Sequence, residues 1–154
     1  MIRLAKLTDY GIALMCHVAR AGGGTFSARE LAHATHIPLP TVSKLLKMLT
    51  AAGMLQSQRG VHGGYSLTID PALTSLADVV AALEGPISLT ECEGESSACA
   101  IEGSCKVKPH WHKINIAVRD ALDRLSLADM ASAQLPSEPT LVRAPGRRPI
   151  QETA

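Results

Sequence analysis

A short capped helix, a proline-broken turn and a second helix, followed at once by two alternating strands around a glycine-rich turn, predict a mainly α, winged helix-turn-helix fold with a small β-hairpin wing. A third observation adds a long C-terminal dimerisation helix, because Trp111, Ile114, Val118, Leu122 and Leu125 recur at spacings of 3, 4, 4 and 3. A chain of 154 residues can bury one proper core. Phe26, Tyr10, Tyr65 and Trp111 are its whole aromatic complement, so that core rests on Leu, Ile, Val, Met and Ala, which suits helices.

The first helix is expected from Thr8 as N-cap, with Asp9 in the first turn favouring the positive helix end. Tyr10, Ala13, Leu14 and Val18 form its apolar stripe, Cys16 lies among them as core packing, and Gly22-Gly23-Gly24 ends it. Ser27 and Glu30 form a capping box for a short second helix. That helix breaks at H-I-P-L-P, where Pro38 and Pro40 impose an extended turn. The third helix runs from Thr41 to the stop at Gly53. On it Val42, Leu45, Leu46 and Leu49 share one side, and Lys44 and Lys47 lie almost opposite, flanked by Thr41, Ser43 and Met48. M-L-Q-S-Q (54–58) and Y-S-L-T-I (65–69) read as strands around R-G-V-H-G-G, which places Arg59 and His62 at a wing tip. Those positions suit a phosphate or a minor groove.

A further helix is expected from Ser75 to Glu84, burying Leu76, Val79, Val80 and Leu83 and ending at Gly85. Residues 109–130 read as one continuous helix of roughly 33 Å, with Pro109 in its first turn. So long a helix leaves little of its own protomer to cover its seam, so a twin helix and a twofold homodimer are expected. Two readers related by a twofold would bind pseudo-palindromic promoter DNA. The expected division is 1–69 reader, 70–107 linking helix and cysteine loop, 108–130 dimerisation helix, and 131–154 a Pro- and Arg-rich flexible tail.

The near-neutral total charge of +1 hides segregation. Residues 1–66 carry seven basic groups against two acids, whereas 67–107 carry Lys106 against seven acids. A basic first half points to a polyanionic partner. The N-terminus has no apolar h-region, and no run approaches the roughly 20 residues of a membrane span, which predicts a soluble cytoplasmic protein. No nucleophile triad, phosphate loop or paired-carboxylate site emerges, so an enzyme is not expected.

Three of the four cysteines, Cys92, Cys99 and Cys105, sit within C-E-G-E-S-S-A-C-A-I-E-G-S-C, spaced C-x6-C-x5-C. The stretch is too polar and glycine-rich for a buried helix or strand. In a reducing compartment three thiols in one loop suit a thiophilic metal or an iron–sulfur cluster. A structural zinc or redox thiol site is a rival, but the usual C-x2–4-C zinc knuckles are missing, and Glu91, Glu93, Glu95 and Glu102 disfavour a reactive thiolate. An iron–sulfur carrier or scaffold would have no use for a helix-turn-helix, and a winged helix that docks on protein would lack salt-dependent DNA binding.

L-T-D-Y-G, the helix-turn-helix, the wing R-G-x-x-G-G-Y, the three cysteines and W-x-x-I-N on the long helix resemble the winged-helix iron–sulfur regulators typified by IscR and NsrR. Within that family the chain is most similar to the regulator of the SUF iron–sulfur assembly system, through L-A-K-L-T-D-Y-G and A-C-A-I-E-G-x-C. The resemblance covers roughly residues 1–130. It implies a dimeric repressor of iron–sulfur assembly genes that holds a cluster, 2Fe–2S or alternatively 4Fe–4S, on Cys92, Cys99 and Cys105. It further implies Thr41 to Lys47 as recognition helix and Arg59 as the wing arginine. Lys108 stands where IscR-like members place a histidine ligand, which leaves the fourth ligand open. Asp9 matches the acidic ligand that NsrR-like members take from the partner's first helix, His110 is the alternative, and Asp9 can equally be a helix-capping residue.

Overall fold

The computed structural model describes residues 4–60, 63–94 and 99–132. Helices α1 (Lys6–Arg20), α2 (Ala28–Thr35) and α3 (Leu39–Ala51) lead into strands β1 (Leu55–Gln58) and β2 (Gly64–Leu67). Then come α4 (Leu76–Glu84), α5 (Lys108–Asp123) and α6 (Leu127–Ala131). The expected mainly helical, winged architecture is what the chain adopts. Its core is aliphatic, with Leu14, Val18, Leu31, Leu46, Val79 and Leu127 removed from solvent altogether. His62, Glu95 and the tail beyond Ser132 lie outside the described residues.

Helix α1 departs from expectation at its start. It begins at Lys6 with Ala5 in the cap position and no side-chain cap. Thr8 is buried instead, and its hydroxyl donates to Glu84 Oε1, which also accepts the Ala5 N–H at 3.1 Å. A carboxylate at the end of α4 thus satisfies the first turn of α1 and faces its positive end. Ala13 also lies exposed, while Ile12 and Met15 supply the buried stripe beside Leu14 and Val18.

The Ser27–Glu30 capping box forms as expected, with Ser27 N–H donating to Glu30 Oε2 at 2.7 Å. That backbone bond, with the Ser27 side chain, holds the Glu30 carboxyl below its ordinary value. Helix α3 starts at Leu39, two positions ahead of the expected Thr41. The reason is local: Pro40 sits in the first turn, where its missing N–H has no partner to lose. The wing is pinned at its base, since Phe26 N–H donates to Tyr65 O at 3.0 Å and Tyr65 N–H to Phe26 O at 2.8 Å. Gly64 permits that approach, because a Cβ there would stand 2.6 Å from Phe26 O.

The largest correction concerns the long helix expected over 109–130. It stops at Asp123, and α6 starts anew with Ser126 as N-cap. Asp129 N–H donates to Ser126 Oγ at 3.0 Å and Ser126 N–H to Asp129 Oδ2 at 2.9 Å, closing a capping box. Leu76 N–H donates to Leu125 O and Leu127 N–H to Thr74 O, each at 2.8 Å, so the turn pairs with the segment before α4. The chain then returns to pack α6 on α1, where Arg20 Nε donates to Ala131 O at 2.9 Å. Burying Leu127 completely outweighs continuing the helix into solvent.

Ser126→Ala is expected to cost about 1 kcal/mol of stability, as loss of an N-cap does, and to speed amide exchange in α6 before α1. Urea unfolding with residue-resolved exchange checks it; uniform exchange would mean that the cap does not govern α6. The Ser126 bonds hold the Asp129 carboxyl below its ordinary 3.8. That carboxylate's stabilisation is therefore present above this value and is lost as pH falls through the lowered one.

Candidate nucleic-acid interface and cysteine loop

Helix α3 buries Val42, Leu45, Leu46 and Leu49 and leaves Lys44 and Lys47 exposed, as the helical spacing requires. Thr41 and Ser43 are half-buried at the edges of that outward face. Arg59 is exposed immediately after β1, on the hairpin that follows the same helix. The exposed basic groups of α3 and the wing are therefore carried by two elements that the core locks together. Antiparallel pairing of Leu55 with Leu67 and of Gln58 with Gly64 sets the wing register.

Cys16 is buried in α1, and burial pushes its thiol up, so it stays protonated and behaves as a small apolar side chain. The other three cysteines differ in kind. Cys92, Cys99 and Cys105 are free and partly exposed. Cys92 lies in a 3-10 turn, Glu91–Glu93, with its Sγ 3.3 Å from Thr90 Oγ1. Cys105 follows a second such turn, Glu102–Ser104, and its carbonyl accepts the Lys108 N–H at 3.4 Å.

Both turns are tied to α5. His112 Nδ1 is 2.8 Å from Glu93 Oε2, and Lys108 Nζ is paired with Glu102 Oε1. The hydrogen bond to Glu102, reinforced by the Cys92 and Glu93 charges, raises the Lys108 ammonium above its ordinary value, so it stays charged. Asn115 adds a third tie: its Oδ1 accepts the Leu89 N–H at 3.2 Å and its Nδ2 donates to Ile87 O at 3.0 Å.

Among the described residues no three His, Cys, Asp or Glu side chains are gathered closely enough to hold a metal ion. In chemistry the donor set still fits three of the four ligands of an iron–sulfur cluster, since Cys92, Cys99 and Cys105 offer three free, partly exposed sulfurs within one short stretch. Asp9 is exposed in the first turn of α1, beside a cleft lined by Leu4, Ala5, Lys6 and Glu84. His110 is exposed in the first turn of α5. Sequence reasoning missed Glu84 and Asn115, whose partners are remote in the chain.

Helix α5 buries no residue of its own. Ile114 and Trp111 are 44% and 36% exposed, and with Ala117, Val118 and Ala121 they leave an open apolar strip. At the far end of the expected seam Leu125 packs against the chain's own core, while Leu122 both touches that core and lines the strip.

Comparison with protein-family models matches residues 4–133 to Rrf2, described as an iron-dependent transcriptional regulator. The chain belongs to the Rrf2 family. NsrR of Streptomyces coelicolor, an HTH-type transcriptional repressor, is 29% identical over 143 residues, covering 92% of this chain and 95% of that protein. The HTH-type transcriptional regulator CymR of Bacillus subtilis is 33% identical over 133 residues, covering 85% and 91%. Among solved structures, CymR, the global cysteine regulator of B. subtilis, superposes with a TM-score of 0.67 at 29% identity, over 85% of this chain and 97% of that one. IscR of T. potens superposes with a TM-score of 0.65 at 26% identity, over 84% and 85%. This Rrf2-family chain is thus a transcriptional regulator and not an enzyme. Among its described residues, no helix is long and apolar enough to cross a membrane.

Proposed function

We propose that the chain is a homodimeric, promoter-binding repressor whose affinity for iron–sulfur assembly genes of the SUF type depends on an iron–sulfur cluster at Cys92, Cys99 and Cys105. The observation that carries this reading is that the turns beside Cys92 and Cys105, in a stretch with three free, partly exposed thiols, are tied to the helix bearing the open apolar strip, in a chain that also displays Lys44, Lys47 and Arg59.

A bound cluster would supply an oxygen- and redox-sensitive cross-link between the loop's segments. The protein's part is to offer sulfur ligands and to offset their charge, for which Lys108 stands paired beside them. Asp9 of a partner subunit is the proposed fourth ligand, with His110 as the alternative. The strip of Trp111, Ile114, Val118 and Leu122 is the proposed dimer seam, ending before Leu125 of the expected spacing. Residues 1–69 read DNA, through Thr41, Ser43, Lys44 and Lys47 in the major groove and Arg59 and His62 at the wing. The site lies within a soluble cytoplasmic protein in this reading.

Likeness to CymR, of which the Staphylococcus aureus protein has a solved oxidized form, favours a second reading, in which the thiols respond directly to redox chemistry without a cluster. Anaerobic purification separates the two. Brown protein with near-equal iron and sulfide, and promoter affinity that changes on cluster loss, is expected. Cys99→Ser should remove the colour and leave a folded dimer. Colourless wild-type protein, or zinc whose chelation leaves affinity unchanged, would refute the cluster reading.

A further inference from the structure

We infer that Asn115 is the positioning residue that couples the cysteine loop to the recognition helix, an inference that rests on the function proposed above. The stretch from Gly85 to Glu91 joins the end of α4 to Cys92. Up to Thr90 it belongs to no helix or strand, and it borders two clefts, of about 840 and 600 Å³. Of this stretch, Ile87 packs against the core. Among the described residues, the two hydrogen bonds tying 86–89 to another element both end on Asn115.

The chemistry requires this residue type. The backbone at Ile87 offers an acceptor and that at Leu89 a donor, and a short side chain must supply the complement of each. Asparagine carries both on one rigid amide; aspartate keeps the acceptor and loses the donor. Asn115 also stands one turn from His112, whose ring meets Glu93 beside Cys92. The same face of α5 therefore grips the chain just before the first cysteine and just after it.

What the linker pulls on is the end of α4. Leu83 and Leu45 close on Gly11 from two sides: a Cβ placed there would stand 2.4 Å from Leu83 Cδ1 and 3.2 Å from Leu45 Cδ2. Leu45 belongs to α3, next to Lys44. Glu84, the last residue of α4, grips the first turn of α1 through Ala5 and Thr8. A shift of the loop relative to α5 thus reaches α3 through close-packed groups if the linker is held, and is absorbed in the flanking clefts if it is not.

The test uses the full-length chain and a duplex selected from a random pool by wild-type protein. Iron content and promoter affinity are measured before and after cluster removal. Wild type is expected to show an affinity ratio between the two forms of about 5–150-fold. Asn115→Ala should load iron to the wild-type level and melt as a folded protein, yet its ratio should collapse to about twofold or less. Asn115→Asp should recover part of the ratio. It also serves as the test variant should the alanine protein not fold, and a full wild-type ratio in it would then overturn the inference. A full ratio in Asn115→Ala would overturn this inference and leave the proposed function standing. Loss of iron together with the ratio would make Asn115 a fold residue of the loop and overturn it too. A wild-type ratio of one would instead overturn the functional reading itself.

Discussion

Replacing Lys44, Lys47 and Arg59 together by alanine is expected to remove promoter binding at moderate salt while leaving the fold intact. All three side chains are exposed, so their loss should change stability by no more than about 0.5 kcal/mol. A contact to a base edge contributes about 1–3 kcal/mol, whereas a contact to a phosphate strengthens binding about equally on every sequence. The sharper readout is salt. Each phosphate contact releases condensed counterions, so removing three should flatten the slope of log affinity against log salt by about 2.7 per bound protomer. Arg119→Ala, on α5, serves as the control and should leave the slope unaltered. An unaltered slope in the triple variant would show that this face does not meet DNA, whatever the affinity did.

Leu45→Ala should be the most damaging of the α3 substitutions for stability. The side chain is fully shielded from solvent and fills the space where α1, α3 and α4 meet at Gly11. Truncation removes buried methyl groups and leaves a cavity that three helices cannot collapse around, a cost of about 2–5 kcal/mol. Domains of this size have a total of about 5–15 kcal/mol, so the variant should melt on the order of 10 °C lower and be partly unfolded at physiological temperature. Lys44→Ala, one position away on the solvent side, should unfold at nearly the wild-type urea concentration. Equal midpoints for the two variants would contradict the packing described for this helix.

The reader and wing were the most legible parts of the chain. Their signals are short-range: Val42, Leu45, Leu46 and Leu49 repeat at helical spacing, Ser27 and Glu30 cap within one turn, and glycines bracket the hairpin. The end of the C-terminal helix misled for the same reason. Leu122 and Leu125 continue the apolar spacing, and neither proline nor glycine interrupts Arg124 to Ser126, so periodicity runs straight through the break. Ser126 and Asp129 carried the contrary signal, a capping box like that of Ser27 and Glu30. In the cysteine loop the sequence showed three thiols in one polar stretch, but not the groups that tether their turns to α5.

By itself, then, the sequence determined the elements whose stability comes from neighbours within a turn or two: helix α3 with its basic face, the capped helix before it and the wing. Tertiary structure alone decided that Glu84 caps α1 from the end of α4, that α6 folds back onto α1, and that Asn115 holds the linker ahead of Cys92. Each of these joins polar or apolar groups far apart in the chain. Such partners are chosen by which buried surfaces and unsatisfied backbone groups the assembled helices bring together, a choice that no local spacing of residues encodes.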